Sequence, residues 1–157
     1  MPGAVERRAA PQTPVLRGLY EYWASKRQGL IPPPRAAIHP EEMVKWLPFL
    51  MLLDVVGEPP RFRVRLFGTA LVEAYGEEIT GRFMDNCDLN YITEQLEEQM
   101  LEVVRNGAPN VIDARFAKIA DARYLDYERI ALPLSNDGKH VNMILCGYAL
   151  NRAVSIP

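Results

Sequence analysis

The sequence predicts an α+β domain in which five strands and a few helices share one core, and three observations carry that prediction. The first is the segment Arg61 to Phe67. Phe62, Val64 and Leu66 alternate with Arg61, Arg63 and Arg65, which is the period of a half-buried strand with Leu66 on its apolar face. The second is the change of period after it. Gly68 breaks the strand, Thr69 is placed to cap a short helix, and Ala70, Leu71, Ala74 and Tyr75 recur at helical spacing until Gly76 stops the turn. The third is the order of elements along the chain: strand, strand, helices, strand, strand, strand.

Residues 1–12, with Ala9-Ala10-Pro11-Gln12, are expected to form a flexible tail. Thr13 followed by Pro14 is a helix start, a hydroxyl cap and then a residue whose missing N–H costs nothing there. That helix runs to Lys26 or Arg27, and Gly29 ends it. Leu16, Leu19, Tyr20 and Trp23 make its apolar stripe, widened by Val15 and Tyr22. Ile31-Pro32-Pro33-Pro34 is a stiff, extended connector. Pro40, with Glu41 and Glu42 behind it, starts a short second helix that ends before Pro48.

Strands are expected at 49–56 and 61–67, and Gly57-Glu58-Pro59-Pro60 turns them into an antiparallel hairpin. Asn90 caps a long helix to Asn106 that carries Ile92, Leu96, Met100, Val103 and Val104 on one face. Three more strands fit at 110–119, 123–134 and 141–150, the last two joined through Asn136-Asp137-Gly138. The chain therefore divides into a tail (1–12), a helix and connector (13–47), a core (48–150) and a second tail (151–157).

With 157 residues, 48% of them hydrophobic, the chain can bury one core. Its 18 basic and 20 acidic residues give a net charge of -2, so no global field attracts nucleic acid or anionic lipid, and neither partner is expected. The longest apolar run, Phe49 to Leu53, is too short to span a bilayer, and the first residues lack the apolar centre of a signal peptide. Residence in the cytoplasm is the expectation.

The step Gly76-Glu77-Glu78-Ile79-Thr80-Gly81-Arg82 after a strand and a short helix resembles the PAS domains. Upstream, Leu19-Tyr20-Glu21-Tyr22-Trp23, Arg27, Gly29, Pro32, Pro34-Arg35, His39-Pro40 and the run Leu47 to Val55 are similar to a family of stand-alone PAS-like proteins of bacteria, largely alphaproteobacteria, most of them without an assigned ligand. The likeness covers roughly residues 14 to 150, nearly a whole domain. It implies a PAS-like five-stranded antiparallel sheet with the short helices and the long helix on one face, enclosing a ligand cavity. The helix that starts at Thr13 then lies outside that core, on the other sheet face or on a second copy.

Each candidate site has an ordinary reading beside it. His39 and His140 sit at a helix start and after a turn, without metal-ligand spacing, so they read as exposed loop residues and no metal is expected. Haem-binding PAS domains take an axial histidine from the long helix, and 91–106 has none, which disfavours haem and leaves Tyr, Met or Cys as the alternative axial ligands. Cys87 is similar to the adduct-forming cysteine of flavin-binding PAS domains, but Phe83 to Asn86 separate it too far from Arg82, which leaves an ordinary thiol; Cys146 reads as core. Arg61, Arg63 and Arg65, set against Asp54, Asp113, Arg115, Asp126, Glu128 and Arg129, read as a solvated cross-strand charge ladder rather than an anion site.

By the resemblance, Tyr75, Met84, Leu96, Met100 and Phe116 are the ligand-binding candidates, with Phe83, Ile92, Tyr127 and Tyr148 around them. Leu19, Tyr20 and Trp23 are the candidate interface, in a homodimer or against a signalling partner. The expected function is a non-catalytic sensory module that works through a small ligand, a protein contact, or both, with no cofactor identified. Two alternatives stand beside it. One is a small α+β enzyme acting on a hydrophobic substrate, with Asp85, Asp113, Asp126, Tyr127 or Glu128 as its acid or base, and the other a structural interaction protein whose core is filled by its own side chains.

Overall fold

The computed structural model describes residues 7–87, 91–118, 123–150 and 154–155. In chain order its elements are β1 (Arg7–Arg8), α1 (Pro14–Lys26), β2 (Leu50–Val56), β3 (Arg61–Phe67), α2 (Thr69–Tyr75), α3 (Tyr91–Asn106), β4 (Asn110–Lys118), β5 (Arg123–Leu134), β6 (Met143–Leu150) and β7 (Val154–Ser155). The five long strands form the predicted sheet. Its spatial order is β1-β4-β5-β6-β2-β3, every neighbour antiparallel, with β7 paired to β5. The fold is α+β, as the period changes along the sequence required.

Two apolar layers lie on opposite sheet faces. The inner layer packs Met51, Leu53, Phe62, Val64, Ala131, Ile144 and Cys146 of the sheet against Leu71, Ile79, Met84, Leu96, Met100 and Val103 from α2, α3 and the turns between them. The outer layer packs Leu50, Leu52, Val111, Ile130, Leu132, Leu134, Met143 and Leu145 against Leu16, Leu19 and Trp23 of α1 and against Ile38, Met43 and Trp46. Alternation along each strand assigns neighbouring residues to the two faces, which is why both layers draw on the same strands.

The structure corrects several expectations. The alternation of β3 does not persist to its end. Leu53 pairs with Val64 but Leu52 with Leu66, so Arg65 is an extra, bulged residue and the phase flips after it. Leu66 is consequently 38% exposed, and Phe67 takes the place beside the inner layer. No α-helix starts at Pro40. Three single 3-10 turns, Arg35–Ala37, Pro40–Glu42 and Leu47–Phe49, carry the chain instead, and Pro48 lies within the last. Thr69 lies inside α2 rather than capping it, and Gly68 takes the cap position, backed so closely on Pro48 that a Cβ would meet its carbonyl oxygen at 2.2 Å. Gly76 ends α2 with φ at 93°, as predicted.

Both tails contribute strands. Arg7 and Arg8 pair with Ile112 and Val111, and Val154 and Ser155 with Tyr124 and Arg123. The predicted capping residue Asn90 lies outside the described residues.

The helix α1 occupies the boundaries the sequence predicts, and it docks on its own sheet. Leu19 is 0% and Trp23 1% exposed, and Trp23 Nε1–H donates to the Pro133 carbonyl of β5 at 2.9 Å. Gly147 of β6 leaves the gap that Leu19 fills. Leu19 and Trp23 are therefore spent within the chain, which corrects their placement in an intermolecular interface. Tyr20 is half-buried at the border of the same layer, its ring centroid 6.0 Å from that of Trp23.

Thr13 marks the start of α1 but does not cap it with its own hydroxyl. A carboxylate from the sheet does the work. Glu128 of β5 accepts from Gln12 N–H at 2.7 Å, from Thr13 N–H at 3.0 Å and from the Thr13 hydroxyl at 2.6 Å, and it is also bonded to Arg8. A negative charge at the helix start satisfies amides that the helix itself leaves without partners.

Candidate functional site

The inner layer brings together most of the predicted ligand-binding residues. Met84, in the 3-10 turn Met84–Asn86, and Leu96 and Met100 of α3 are buried in one cluster, and Tyr75 packs at its edge with its ring nearly perpendicular to Phe67. Phe116 lies on β4 opposite Leu125, and its side chain, like that of Ile92, is outside the described ones. Phe83 does not join the cluster. Its ring lies under the Arg61 guanidinium, whose carbon is 4.0 Å from the ring centroid, and its backbone bridges to Arg63. The Gly81-Arg82 step runs beside β3, where Gly81 N–H donates to the Val64 carbonyl at 2.6 Å and Val64 N–H to the Arg82 carbonyl at 2.9 Å.

Most of the predicted charge ladder exists. Asp54 accepts from Arg65 at 2.9 Å and from Arg63 at 3.3 Å, Asp85 accepts two bonds from Arg61, and Asp113 pairs with Arg8. Of these, the Arg61–Asp85 pair is exposed on both sides and contributes little, whereas Asp54 is buried beneath its two arginines and Arg8 is mostly covered. Two further members do not belong to a solvated ladder. Glu128 is 3% exposed at the start of α1, and Arg129 is 0% exposed on the other sheet face.

Arg129 faces the inner layer because Tyr127 does, two residues earlier on β5, and Tyr148 stands directly opposite it on β6. Its Nε–H donates to Gln99 Oε1 of α3 at 2.6 Å, and Nη1–H reaches the Tyr127 hydroxyl at 3.4 Å. Among the described residues Nη2 is buried and makes no hydrogen bond of good geometry, although the guanidinium also interacts with the Tyr148 hydroxyl. The Tyr127 and Tyr148 rings each lie 5.6 Å from the guanidinium carbon and 5.5 Å from one another. Gln99 is itself held. Its Nε2 donates to the Asn110 carbonyl at 3.0 Å and reaches that of Arg129 at 3.5 Å, which turns its oxygen toward the guanidinium.

Reading all the strand arginines as one ladder missed this residue. The signal was present in Tyr127-Glu128-Arg129-Ile130, since a period of two puts Arg129 on the face already assigned to Tyr127.

The histidines are where the sequence put them. His140 is exposed and bonds Asp137 at 2.8 Å, and exposed His39 donates its backbone N–H to Tyr22. Among the described residues no group of His, Cys, Asp and Glu is placed to hold a metal. Cys87 and Cys146 are both buried free thiols. Burial pushes Cys146 up to about 12, the nearby Arg129 charge opposing it only partly, and burial raises Cys87 as well. Neither is poised as a nucleophile. No helix among the described residues is long and apolar enough to cross a membrane.

A sheet whose inner face is roofed by a short helix, a Gly-Arg step and one long helix is the arrangement that the resemblance implied, and comparison with known families decides it: the family described as PAS domain matches residues 12–149. The chain belongs to the PAS domain family. Among solved structures, this PAS domain is similar to one titled as the structure of an RNA-binding Light-Oxygen-Voltage receptor, with a TM-score of 0.57 and 15% identity. The match covers 93% of this chain and 38% of that receptor's chain, and at that identity it speaks for the fold. No curated protein sequence matches significantly.

Proposed function

We propose that this PAS domain is a non-catalytic sensory module in which a small ligand, held between α3 and the inner face of the sheet, biases the packing of α1 and is read out by another protein or a second copy. One observation carries the reading: a fully buried arginine that pairs with no carboxylate among the described residues, and whose Nη2 makes no hydrogen bond of good geometry there, lies in the layer where the family resemblance expects a ligand. A core built only to be stable has no use for such a group, because a buried cation lowers stability unless it is paired and fully bonded.

The link to α1 is supported by covalent adjacency. Arg129 points into the inner layer, and its neighbour along β5, Glu128, points outward and holds Thr13, the residue from which α1 starts. A ligand that favours one position of β5 thereby favours one anchoring of α1, which is a shift of population between two packings. Non-catalytic action is supported by the placement of the candidate carboxylates. Asp85 and Asp113 are tied to arginines outside the inner layer, and Glu128 is tied to α1.

The test is native mass spectrometry of the protein purified from its own host, set against the denatured mass of the same sample. An excess mass per subunit is expected, and the same spectrum counts the subunits. An apo mass, with no small molecule stabilising the purified chain, sinks the reading.

A further inference from the structure

Among the described residues, no carboxylate balances the charge of buried Arg129. The titratable groups that face it are Tyr148, Tyr127 and Cys146. The burial that raises the Tyr148 phenol and the Cys146 thiol keeps both neutral near pH 7, so they supply acceptor oxygen and polarisable sulfur but no negative charge. Its one short hydrogen bond, from Nε to Gln99, leaves the two terminal nitrogens turned toward the tyrosine pair.

We propose that Arg129 anchors an anion site, and that the anion is the carboxylate of a small organic acid with an apolar body. The proposal rests on the ligand-binding reading above and specifies its chemistry. A guanidinium presents a planar fork that matches a carboxylate in two parallel hydrogen bonds. A single positive charge balances a monoanion, whereas a phosphate dianion leaves a net negative charge in an apolar layer. The rest of the surroundings suits an apolar body. The Tyr127 and Tyr148 rings flank the guanidinium, and beyond them Cys146 touches Met100, with Sγ to Sδ at 3.6 Å. The acid's carboxylate completes the arginine and its body joins the side chains of the inner layer.

The full chain, dialysed free of chloride, is titrated calorimetrically and by thermal shift with benzoate and hexanoate, with their neutral isosteres benzamide and hexanamide, and with chloride and inorganic phosphate. The acids are expected to bind and raise the melting temperature, with affinities at least about tenfold above those of the amides, as for a charge-assisted hydrogen bond. Arg129→Met should remove that preference while keeping the fold, since an apolar residue of similar length replaces an unpaired buried charge. The comparison of acid with amide is made on the unaltered protein, so it stands even where the variant fails to fold.

Amides that bind as tightly as acids, or a folded Arg129→Met chain that keeps its affinity for the acids, overturn the anion site and leave the ligand-binding reading intact. Binding of chloride or phosphate without the acids overturns the assignment to an organic carboxylate. Silence from every anion overturns the site, and an apo native mass beside that silence overturns the ligand-binding reading too.

Discussion

Gly147 lies so close beneath Leu19 that a Cβ on the glycine would sit 2.3 Å from the Leu19 Cδ2. Leu16 Cδ2 at 3.3 Å and Ile130 Cγ2 at 3.4 Å close two further sides of that space. Leu19 is fully buried and has nowhere to turn, so a methyl group at 147 must lift α1 from the sheet. Gly147→Ala is expected to lose about 1–3 kcal/mol, the usual cost of overpacking. Adding Leu19→Ala should recover part of the loss, because the two changes share one space and are not additive. Urea unfolding of the single and double variants measures both, and a wild-type midpoint for Gly147→Ala would show that α1 does not dock here.

Trp23 tests the same docking from the helix side. Trp23→Ala empties a site that is 1% exposed and should cost about 3–5 kcal/mol. Trp23→Phe keeps an aromatic ring but abandons the bond to Pro133, for a loss of about 1 kcal/mol. Light scattering on Trp23→Phe separates the two views of this residue. Its subunit count should match that of the unaltered chain, and a changed count without lost stability would return Trp23 to an interface between molecules.

Glu128 predicts a dependence on pH. Burial pushes its carboxyl up, but the bonds from Gln12, Thr13 and Arg8 together outweigh burial and hold it below the usual carboxylate range. A carboxyl lowered by folding contributes stability that is present above its unfolded value and is lost as pH falls through the folded value. That loss should therefore set in below pH ~4.3, the unfolded reference for glutamate. Glu128→Gln should cost about 1–3 kcal/mol at pH 7 by leaving buried donors poorly matched. The gap between the variant and the unaltered chain should narrow as pH falls below ~4. A gap that is constant from pH 7 to pH 3 would mean that the charge of Glu128 does not hold α1.

The parts of this fold that were legible in the sequence are those decided within a few residues. Period two from Phe62 to Val64, the proline start of α1 and the glycine stop at Gly76 act locally, and each element lies where its signal put it. The features that were lost depend on distant partners. Arg8 forms an edge strand because Asp113 and Glu128 meet it from more than a hundred residues away, so the first residues looked like tail. The stripe of α1 showed that the helix is covered on one side, yet a stripe cannot name the surface that covers it. Arg65 bulges only because of its register with β2, which no single strand reveals. Within the candidate site, Met84, Leu96 and Met100 came from pattern and resemblance. Arg129 did not, because a charged residue in a strand was assigned to water by its type when its position pointed to the core.

Cys146 offers a view of the inner layer in motion. Its thiol is fully buried on β6 against Met100 of α3, and burial pushes it up to about 12. Thiols react as thiolates, so the burial that raises Cys146 suppresses its reactive form in the closed protein, and reagent must also reach it. Modification then has to pass through an opening that parts α3 from the sheet, with the rate set by how often that opening occurs. In a Cys87→Ser chain, disulfide-exchange labelling should run at least about a hundredfold slower in native buffer than in denaturing urea. If α3 and the sheet close on an acid held by Arg129, benzoate at saturating concentration should slow it further, because a ligand bound only to the closed form lowers the open population. Rapid stoichiometric labelling of the native chain would mean that α3 does not cover Cys146. Slow labelling that benzoate leaves unchanged, where benzoate binds, would place that acid somewhere other than beneath α3.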